Sequence, residues 1–248
     1  LIRMLLARGI HVLACDKTPR EKLDAEVLEL EQAGAVLHVG EGYLDDVRAD
    51  VVFRTPGMRP DVPELLEAKA HGAVITSEME AFFAVCPCPI LGVTGSDGKT
   101  TTSTITAELL RAQGYTVHLG GNIGTPLFDR IADIRPDDFA VLELSSFQLH
   151  SMHCAPDVAI ITNISPNHLD VHPDFEDYVS AKCSIYRGQR PDGVLVLNAR
   201  DAHTPRFAAE APGSVRYFSS IGPVENGVYC TDGVIYRAHD GKAEKILD

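Results

Sequence analysis

Pro89-Ile-Leu-Gly-Val-Thr-Gly-Ser-Asp-Gly-Lys-Thr-Thr-Thr102 is the stretch that decides the fold. Its opening, Pro89–Val93, is an apolar run that reads as a buried strand. A glycine-rich turn ending in Gly98-Lys99-Thr100 follows, and then a helical pattern with Ile105, Leu109 and Ala112 on one face. Strand, glycine turn, Lys-Thr and helix together make a phosphate-binding device. Backbone N–H groups of the loop and of the helix N-terminus point at the anion, Lys99 neutralises charge, and the Thr100 hydroxyl is placed for a magnesium ion. The spacing departs from the strict G-x-x-x-x-G-K-[ST] rule, because Val93 stands five residues before Gly98. The plain alternative is a βα turn whose glycines only permit tight geometry. Thr100–Thr104 is hydroxylated throughout, a poor helix start by propensity, and a bound phosphate would offset that deficit.

Working outward, the 248 residues suffice for two compact domains or one large one. Hydrophobic residues at 45% and charged residues at 23% are ordinary for a globular protein. A formal net charge of −13 argues against nucleic acid or an anionic membrane as the main partner, and no apolar run approaches the roughly 20 residues of a membrane span. The N-terminus lacks signal-peptide architecture, so a cytoplasmic location is expected. Cys15, Cys86, Cys88, Cys154, Cys183 and Cys230 are scattered, and the Cys86-Pro-Cys88 spacing fits neither a zinc knuckle nor a C-x-x-C redox motif. Reduced thiols are expected.

Upstream of the loop the pattern alternates. Leu1–Arg8 reads as a helix, Ile10–Cys15 as a strand ending at Asp16, and Arg20–Ala33 as a polar helix. A strand at Ala35–His38, a strand at Asp50–Phe53, the turn Thr55-Pro-Gly57, a helix at Pro63–Ala70 and a strand at Ala73–Thr76 follow. Ser77-x-x-Glu80 is a capping box opening a helix at Glu78–Val85. The Cys86-Pro-Cys-Pro89 stretch is a natural boundary, giving an α/β unit at 1–88 and a second at 89–248. In a nucleotide-binding βαβ unit, a first strand and its glycine turn would precede Leu1. Downstream, strands at Tyr115–Leu119, Phe139–Leu144, Val158–Thr162 and Gly193–Leu197, mostly separated by helices, imply a mainly parallel sheet covered on both faces. Val215–Phe218, Val228–Cys230 and Val234–Arg237 are short, punctuated by Gly, and look like an antiparallel appendage.

In a parallel sheet the working edge is the C-terminal end of the strands, and three polar clusters sit there. Gly120-Gly-Asn-Ile-Gly124 offers close backbone approach and an amide at Asn122, or a plain turn. Glu143, near the end of an apolar strand, is costly unless it is paired with an Arg or Lys or bound to magnesium. Thr162–His172 carries His168, Asp170 and His172; we expect His168 to contact magnesium or substrate, and Asp170 and His172 to serve local structure. In the helix Asp174–Arg187 the apolar stripe is Phe175, Val179, Cys183 and Tyr186, with Tyr178 alongside, and Lys182 falls on that stripe. A lysine there either snorkels to solvent or has a depressed pKa. The uncharged amine can take up carbon dioxide as a carbamate, which turns a donor into a magnesium ligand.

Read together, these residues resemble the Mur ligase family of ATP-dependent amide ligases of peptidoglycan precursor synthesis. The family loop T-G-[TS]-[NDH]-G-K-[ST] is matched by Thr94–Thr100, and Asn163-x-x-x-x-His168-x-Asp170 and Ala181-Lys182 match in order and spacing. Gly120–Gly124 and Leu142-Glu-Leu-Ser-Ser-Phe-Gln-Leu149 resemble the branch that adds D-glutamate to UDP-N-acetylmuramoyl-L-alanine. The resemblance implies a Rossmann-like UDP-sugar-binding domain, a central phosphate-loop ATPase domain, and a C-terminal domain beyond Asp248. It also implies a nucleotide site at Gly95, Ser96, Asp97, Gly98, Lys99, Thr100 and Thr101, and substrate contacts at Asp16, Thr55, Gly57, Asn122, Ser145 and His168. Thr100 and Glu143 would hold one magnesium ion, and His168 with carbamylated Lys182 a second, with Lys99, His168 and Lys182 catalytic. In the implied reaction ATP phosphorylates the L-alanyl carboxylate, and the D-glutamate amine displaces phosphate from the acyl phosphate. Another Mur ligase, a folylpolyglutamate-synthase-like ligase and a nucleotide-binding fragment without turnover are the competing readings. A phosphate-loop GTPase lacks support, because no N-K-x-D guanine motif occurs. Oligomeric state is not legible in the sequence.

Overall fold

A computed structural model describes residues 1–124 and 126–247. Asp248, the end of the expected central unit, lies outside the described residues. The chain forms two compact units that divide between Glu78 and Met79.

The first unit holds α1 (Ile2–Leu6), β1 (Leu13–Asp16), α2 (Ala25–Gln32), β2 (Val36–Val39), β3 (Val51–Phe53), α3 (Pro63–Ala70) and β4 (Val74–Thr76). β1 pairs with β2, and β3 with β4, both in parallel. The helix expected over Arg20–Ala33 is shorter than its pattern. Arg20–Lys22 is a single 3-10 turn, and extended backbone at Leu23 and Asp24 interrupts the path before α2. α3 begins on Pro63, whose fixed φ and missing N–H suit a first helical turn.

The second unit opens with all but the first residue of α4 (Glu78–Val85) and alternates as β5 (Ile90–Thr94), α5 (Lys99–Ala112), β6 (Val117–Gly121), β7 (Phe139–Glu143), α6 (Ser146–Leu149), β8 (Val158–Ile161), α7 (Phe175–Arg187), β9 (Val194–Asn198) and α8 (Thr204–Glu210). β10 (Ser214–Ser219), β11 (Gly227–Thr231), β12 (Val234–His239) and β13 (Lys242–Leu247) complete a nine-stranded sheet in the order β13-β12-β11-β10-β9-β8-β5-β7-β6. Val93, Val141, Leu142, Ala159 and Leu195 are buried, as expected of parallel strands covered on both faces.

Two expectations are corrected here. The glycine-punctuated C-terminal strands are not wholly an antiparallel appendage. β10 runs parallel to β9 and β11 parallel to β10, and only β12 and β13 turn antiparallel. On α5, the face carrying Ile105 and Leu109 is not the packed one, since these residues are 54% and 63% exposed. The buried positions are the small Ser103 and Ala107, with Ala107 set against Val117 and Val141. Small residues let this helix lie close to the strands it crosses, and close packing outweighs the larger apolar side chains.

β5 occupies the middle of the parallel array, between β8 and β7. Its helix α5 leads toward β6 on one side, whereas the helix after β8 leads toward β9 on the other. The C-terminal ends of β5 and β8 therefore flank the point where the strand order reverses, the usual location of a crevice in an open α/β sheet.

Candidate active site

The loop after β5 is clamped onto the end of β8. Gly95 has φ 145°, and a Cβ there would stand 1.8 Å from Thr162 Oγ1. The Thr162 hydroxyl donates to the Asp97 carbonyl at 2.7 Å. The Asp97 N–H donates to Asn163 Oδ1, and Asn163 Nδ2 returns a bond to the Asp97 carbonyl, both at 3.0 Å. Ser96 N–H donates to the Asn163 carbonyl at 2.9 Å, and Ser96 Oγ accepts from Ser165 N–H at 2.8 Å. Gly98, in the left-handed conformation at φ 77°, then opens α5 with no side chain capping it. The first N–H groups of a helix have no partners within it, so this end presents donors and the positive end of the helix dipole to an anion. Thr101 lies exposed in the same turn.

Lys99 Nζ donates to the carbonyls of Gly95 at 3.0 Å and Ser96 at 2.9 Å, folding back over its own loop. The Thr100 hydroxyl donates to Glu143 Oε2 at 2.7 Å, and Asn122 Nδ2 donates to Glu143 Oε1 at 2.9 Å. Glu143 is 2% exposed, and a hydroxyl and an amide satisfy its two oxygens. The neighbouring backbone is equally tight. Asn122 N–H donates to the Glu143 carbonyl, and a Cβ at Gly121 would lie 2.2 Å from that same oxygen. Gly121 is thus required for Asn122 to reach the carboxylate, whereas a Cβ at Gly120 would meet the Leu127 side chain at 2.6 Å.

Lys182 is 2% exposed and does not snorkel. Its Nζ donates to the Gly95 carbonyl at 2.8 Å and Thr94 Oγ1 at 3.3 Å, and lies 4.7 Å above the centroid of the Tyr178 ring. Burial, assisted by the charge of Lys99 and opposed by Glu143, pulls its pKa down to about 7. Tyr178 shares a 3.0 Å hydrogen bond with Ser96 Oγ, and burial raises its pKa.

His168 is exposed on the loop between β8 and α7, with left-handed backbone at φ 55°. Its N–H donates to Asn167 Oδ1, and its ring meets Phe147 edge-on at 5.1 Å. The His168 and Tyr178 ring centroids are 6.4 Å apart, so His168 and Lys182 both neighbour one tyrosine. Asp170 is exposed, and His172 is buried behind it.

The structure brings Thr100, Glu143 and Asn122 together in one bonded group, with Lys99 and Lys182 both bonded to the Gly95 carbonyl of the adjoining loop. Ser145 has a local task. Its hydroxyl and N–H both bond Gln148, forming the capping box of α6. Asp16, Thr55 and Gly57 belong to the first unit. Asp16 Oδ1 accepts the Thr18 N–H at 2.7 Å, which holds its carboxyl below the usual range, and the Thr55 carbonyl accepts from Arg54. The clamp made by Thr162 and Asn163, and the bonding of Tyr178, His150 and Asp177, escaped sequence reasoning. The one signal was a polar Thr-Asn pair at the end of a strand.

The model of the Mur ligase middle domain matches residues 93–246. UDP-N-acetylmuramoylalanine--D-glutamate ligase of Clostridium botulinum (strain 657 / Type Ba4) is 51% identical over 94% of this chain and 51% of its own length. The enzyme of that name from Acetivibrio thermocellus is 49% identical over 98% of this chain and 52% of its own. The chain thus spans about half the length of the curated relatives it matches. Among solved structures, UDP-N-acetylmuramate:L-alanyl-gamma-D-glutamyl-meso-diaminopimelate ligase from Neisseria meningitides covers 96% of this chain and 79% of its own, at a TM-score of 0.57 and 20% identity. MurF ligase from Thermotoga maritima, solved with ADP, covers 95% of this chain and 56% of its own, at 0.53 and 20%. The solved structures share the fold, and with the middle-domain match over most of the second unit they lead to one conclusion: the chain belongs to the Mur ligase family.

Proposed function

We propose that the complete protein uses ATP to join D-glutamate to UDP-N-acetylmuramoyl-L-alanine in peptidoglycan precursor synthesis, in the cytoplasm. The observation that carries the ATP-dependent part is the meeting of three features at one strand end: an uncapped helix N-terminus behind Gly98, the Thr100–Glu143 bond, and the buried Lys182 amine against the Gly95 carbonyl. The acceptor is supported by the names of relatives about half identical to this chain. In this reading residues 1–88 bind the UDP-sugar through Asp16, Thr55 and Gly57, and residues 89–248 bind ATP through Gly95–Thr101.

The donor set suits magnesium in part. The Thr100 hydroxyl and the Glu143 carboxylate are hard oxygen donors and fit it. The Lys182 amine does not fit as it stands. As a carbamate it offers oxygens, and a pKa near 7 supplies the neutral amine whose nitrogen attacks carbon dioxide and releases a proton to solvent. His168 with carbamylated Lys182 would then hold a second ion. Magnesium, when bound, neutralises and aligns anions that otherwise repel. Lys99 exchanges two loop carbonyls for the transferring phosphoryl group and stabilises its developing charge. The loop N–H groups orient the phosphates, Asn122 and Ser145 stand near the acceptor, and the clamp from Thr162 and Asn163 keeps the loop in shape before substrate arrives.

The test is an acceptor assay on the full-length protein. Release of phosphate from ATP is followed with UDP-N-acetylmuramoyl-L-alanine and D-glutamate, L-glutamate or diaminopimelate. D-glutamate alone should support turnover, and Lys99→Ala should lose about 10²-fold or more in rate. Turnover with diaminopimelate instead would move the protein to another branch of the family, and full activity in Lys99→Ala would remove that residue from the reaction.

A further inference from the structure

We propose that His172 is a positioning residue that holds the His168 loop in register with the Glu143 strand and the Lys182 helix. The inference rests on the reading of His168 as a site residue.

His172 is 3% exposed, and both ring nitrogens are engaged. Nδ1 lies 2.6 Å from Asp177 Oδ2, in the first turn of α7, the helix that carries Lys182. Nε2 lies 3.0 Å from Ser146 Oγ, the first residue of α6 and three residues beyond Glu143. An ionised carboxylate can only accept, so Nδ1 carries the proton and a neutral ring accepts the Ser146 hydroxyl at Nε2. The His172 backbone N–H closes the third link, donating to the His168 carbonyl at 3.0 Å, beside a bond from Val171 N–H at 3.1 Å. That turn contains the left-handed backbone of His168, a conformation a non-glycine residue keeps only where its surroundings fix it. The rings continue the pattern. Phe147 stacks on His172 at 5.6 Å and 8°, and its edge meets His168. One imidazole therefore ties together three segments, each bearing one residue of the proposed site.

Metal ligation is the rival explanation for the same atoms. His150, His172 and Asp177 each offer a ligand atom, and all lie within 4.8 Å of one another. Two ligands on a tetrahedral zinc ion, at bond lengths of roughly 2.0–2.1 Å, stand about 3.3 Å apart. The 2.6 Å between Nδ1 and Oδ2 is shorter, and it is the length of a charge-assisted hydrogen bond. The geometry favours a proton there.

The experiment measures the magnesium concentration for half-maximal ATP turnover in the full-length protein, with fold checked by circular dichroism and ADP affinity. His172→Ala should raise that concentration about tenfold or more, as loss of an outer support does at metal sites, while ADP affinity stays within about twofold. Ser146→Ala should shift it in the same direction by less. His150→Ala removes a 3.3 Å bond to the other oxygen of Asp177 but leaves the three links of His172 themselves in place, and should match wild type. A folded His172→Ala with wild-type magnesium dependence overturns the proposal, as does an equal shift in His150→Ala, or a cobalt absorption band that needs His150. If His172→Ala fails to fold, His172→Asn, too short to reach Ser146 and Asp177 together, should show the same shift, and a wild-type value again overturns it. Were the wild-type protein to turn over no ATP, the ligase reading would fall, but the proposal would still be decided by the His168 Cα chemical shift. That shift should report left-handed backbone in wild type and lose it in His172→Ala; retention in both overturns the proposal.

Discussion

Lys182 shows what burial does to a single residue. Its folded pKa of about 7 lies below the ordinary lysine value of 10.5. Under acid conditions both folded and unfolded chains carry the proton, and the full cost of sealing a cation applies. Between the two values the unfolded chain holds a proton that the folded one lacks, so stability rises with pH, by up to about 1.4 kcal/mol per unit. In buffer stripped of carbon dioxide, Lys182→Met should therefore stabilise the protein at about pH 6, with a gain that shrinks toward about pH 9; urea titrations at both values read this, and a pH-independent gain would contradict it. Two glycines offer a sharper contrast. Gly98 has left-handed backbone but open space around its Cβ position, so Gly98→Ala should cost only about 1–2 kcal/mol of conformational strain. Gly95→Ala drives a carbon into Thr162 and should cost more, with the loss of ADP binding. Equal costs in urea would mean that the clamp on β8 yields freely. Lys99, Thr100 and Glu143 were legible in the sequence because they lie at the ends of a strand or the start of a helix, where periodicity fixes direction. The roles of Thr162, Asn163 and Asp177 were not. Each acts on a segment distant in sequence or through a partner that no spacing rule specifies.

At the scale of elements, α6 has a single turn, and its capping box is what defines its start. Ser145 accepts from Gln148 N–H while Gln148 Oε1 accepts from Ser145 N–H. Ser145→Ala should destabilise the protein by about 1 kcal/mol, a typical cost for a lost cap. If nucleotide affinity changed with no loss of stability, the hydroxyl would have a ligand-binding role beyond its cap. α7 was readable in most of its length: its apolar stripe and Lys182 on its buried side follow from a 3.6-residue period, whereas Asp174, read as part of the helix, is its N-cap. α5 misled because periodicity reports where apolar residues recur and says nothing about how near the helix lies to its sheet. Strand direction in β10 and β11 was hidden for a similar reason. Five or six residues between glycines pair equally well either way, and only the path of the preceding chain selects parallel.

Across the molecule, the division between Glu78 and Met79 leaves every bonded residue of the phosphate loop in one unit. Magnesium–ADP should accordingly raise only one of two thermal transitions. At 100 times its dissociation constant a ligand contributes about 2.7 kcal/mol to the state that binds it. A calorimetric scan in which both transitions move together would show the units to be coupled. The net charge of −13 leaves anion binding to local groups rather than to an overall field.

The clamp between β5 and β8 also sets an order in time. Its bonds join residues 65 to 69 positions apart, and the chain must lay down two intervening strands before they can form. Contacts of such long range are made late in folding. In a refolding experiment, α5 should acquire helical signal before the loop can retain a fluorescent ADP analogue, and the interval between the two signals should lengthen when Thr162 is replaced by Val. On this account the newly made chain holds its helix some time before it can hold a nucleotide.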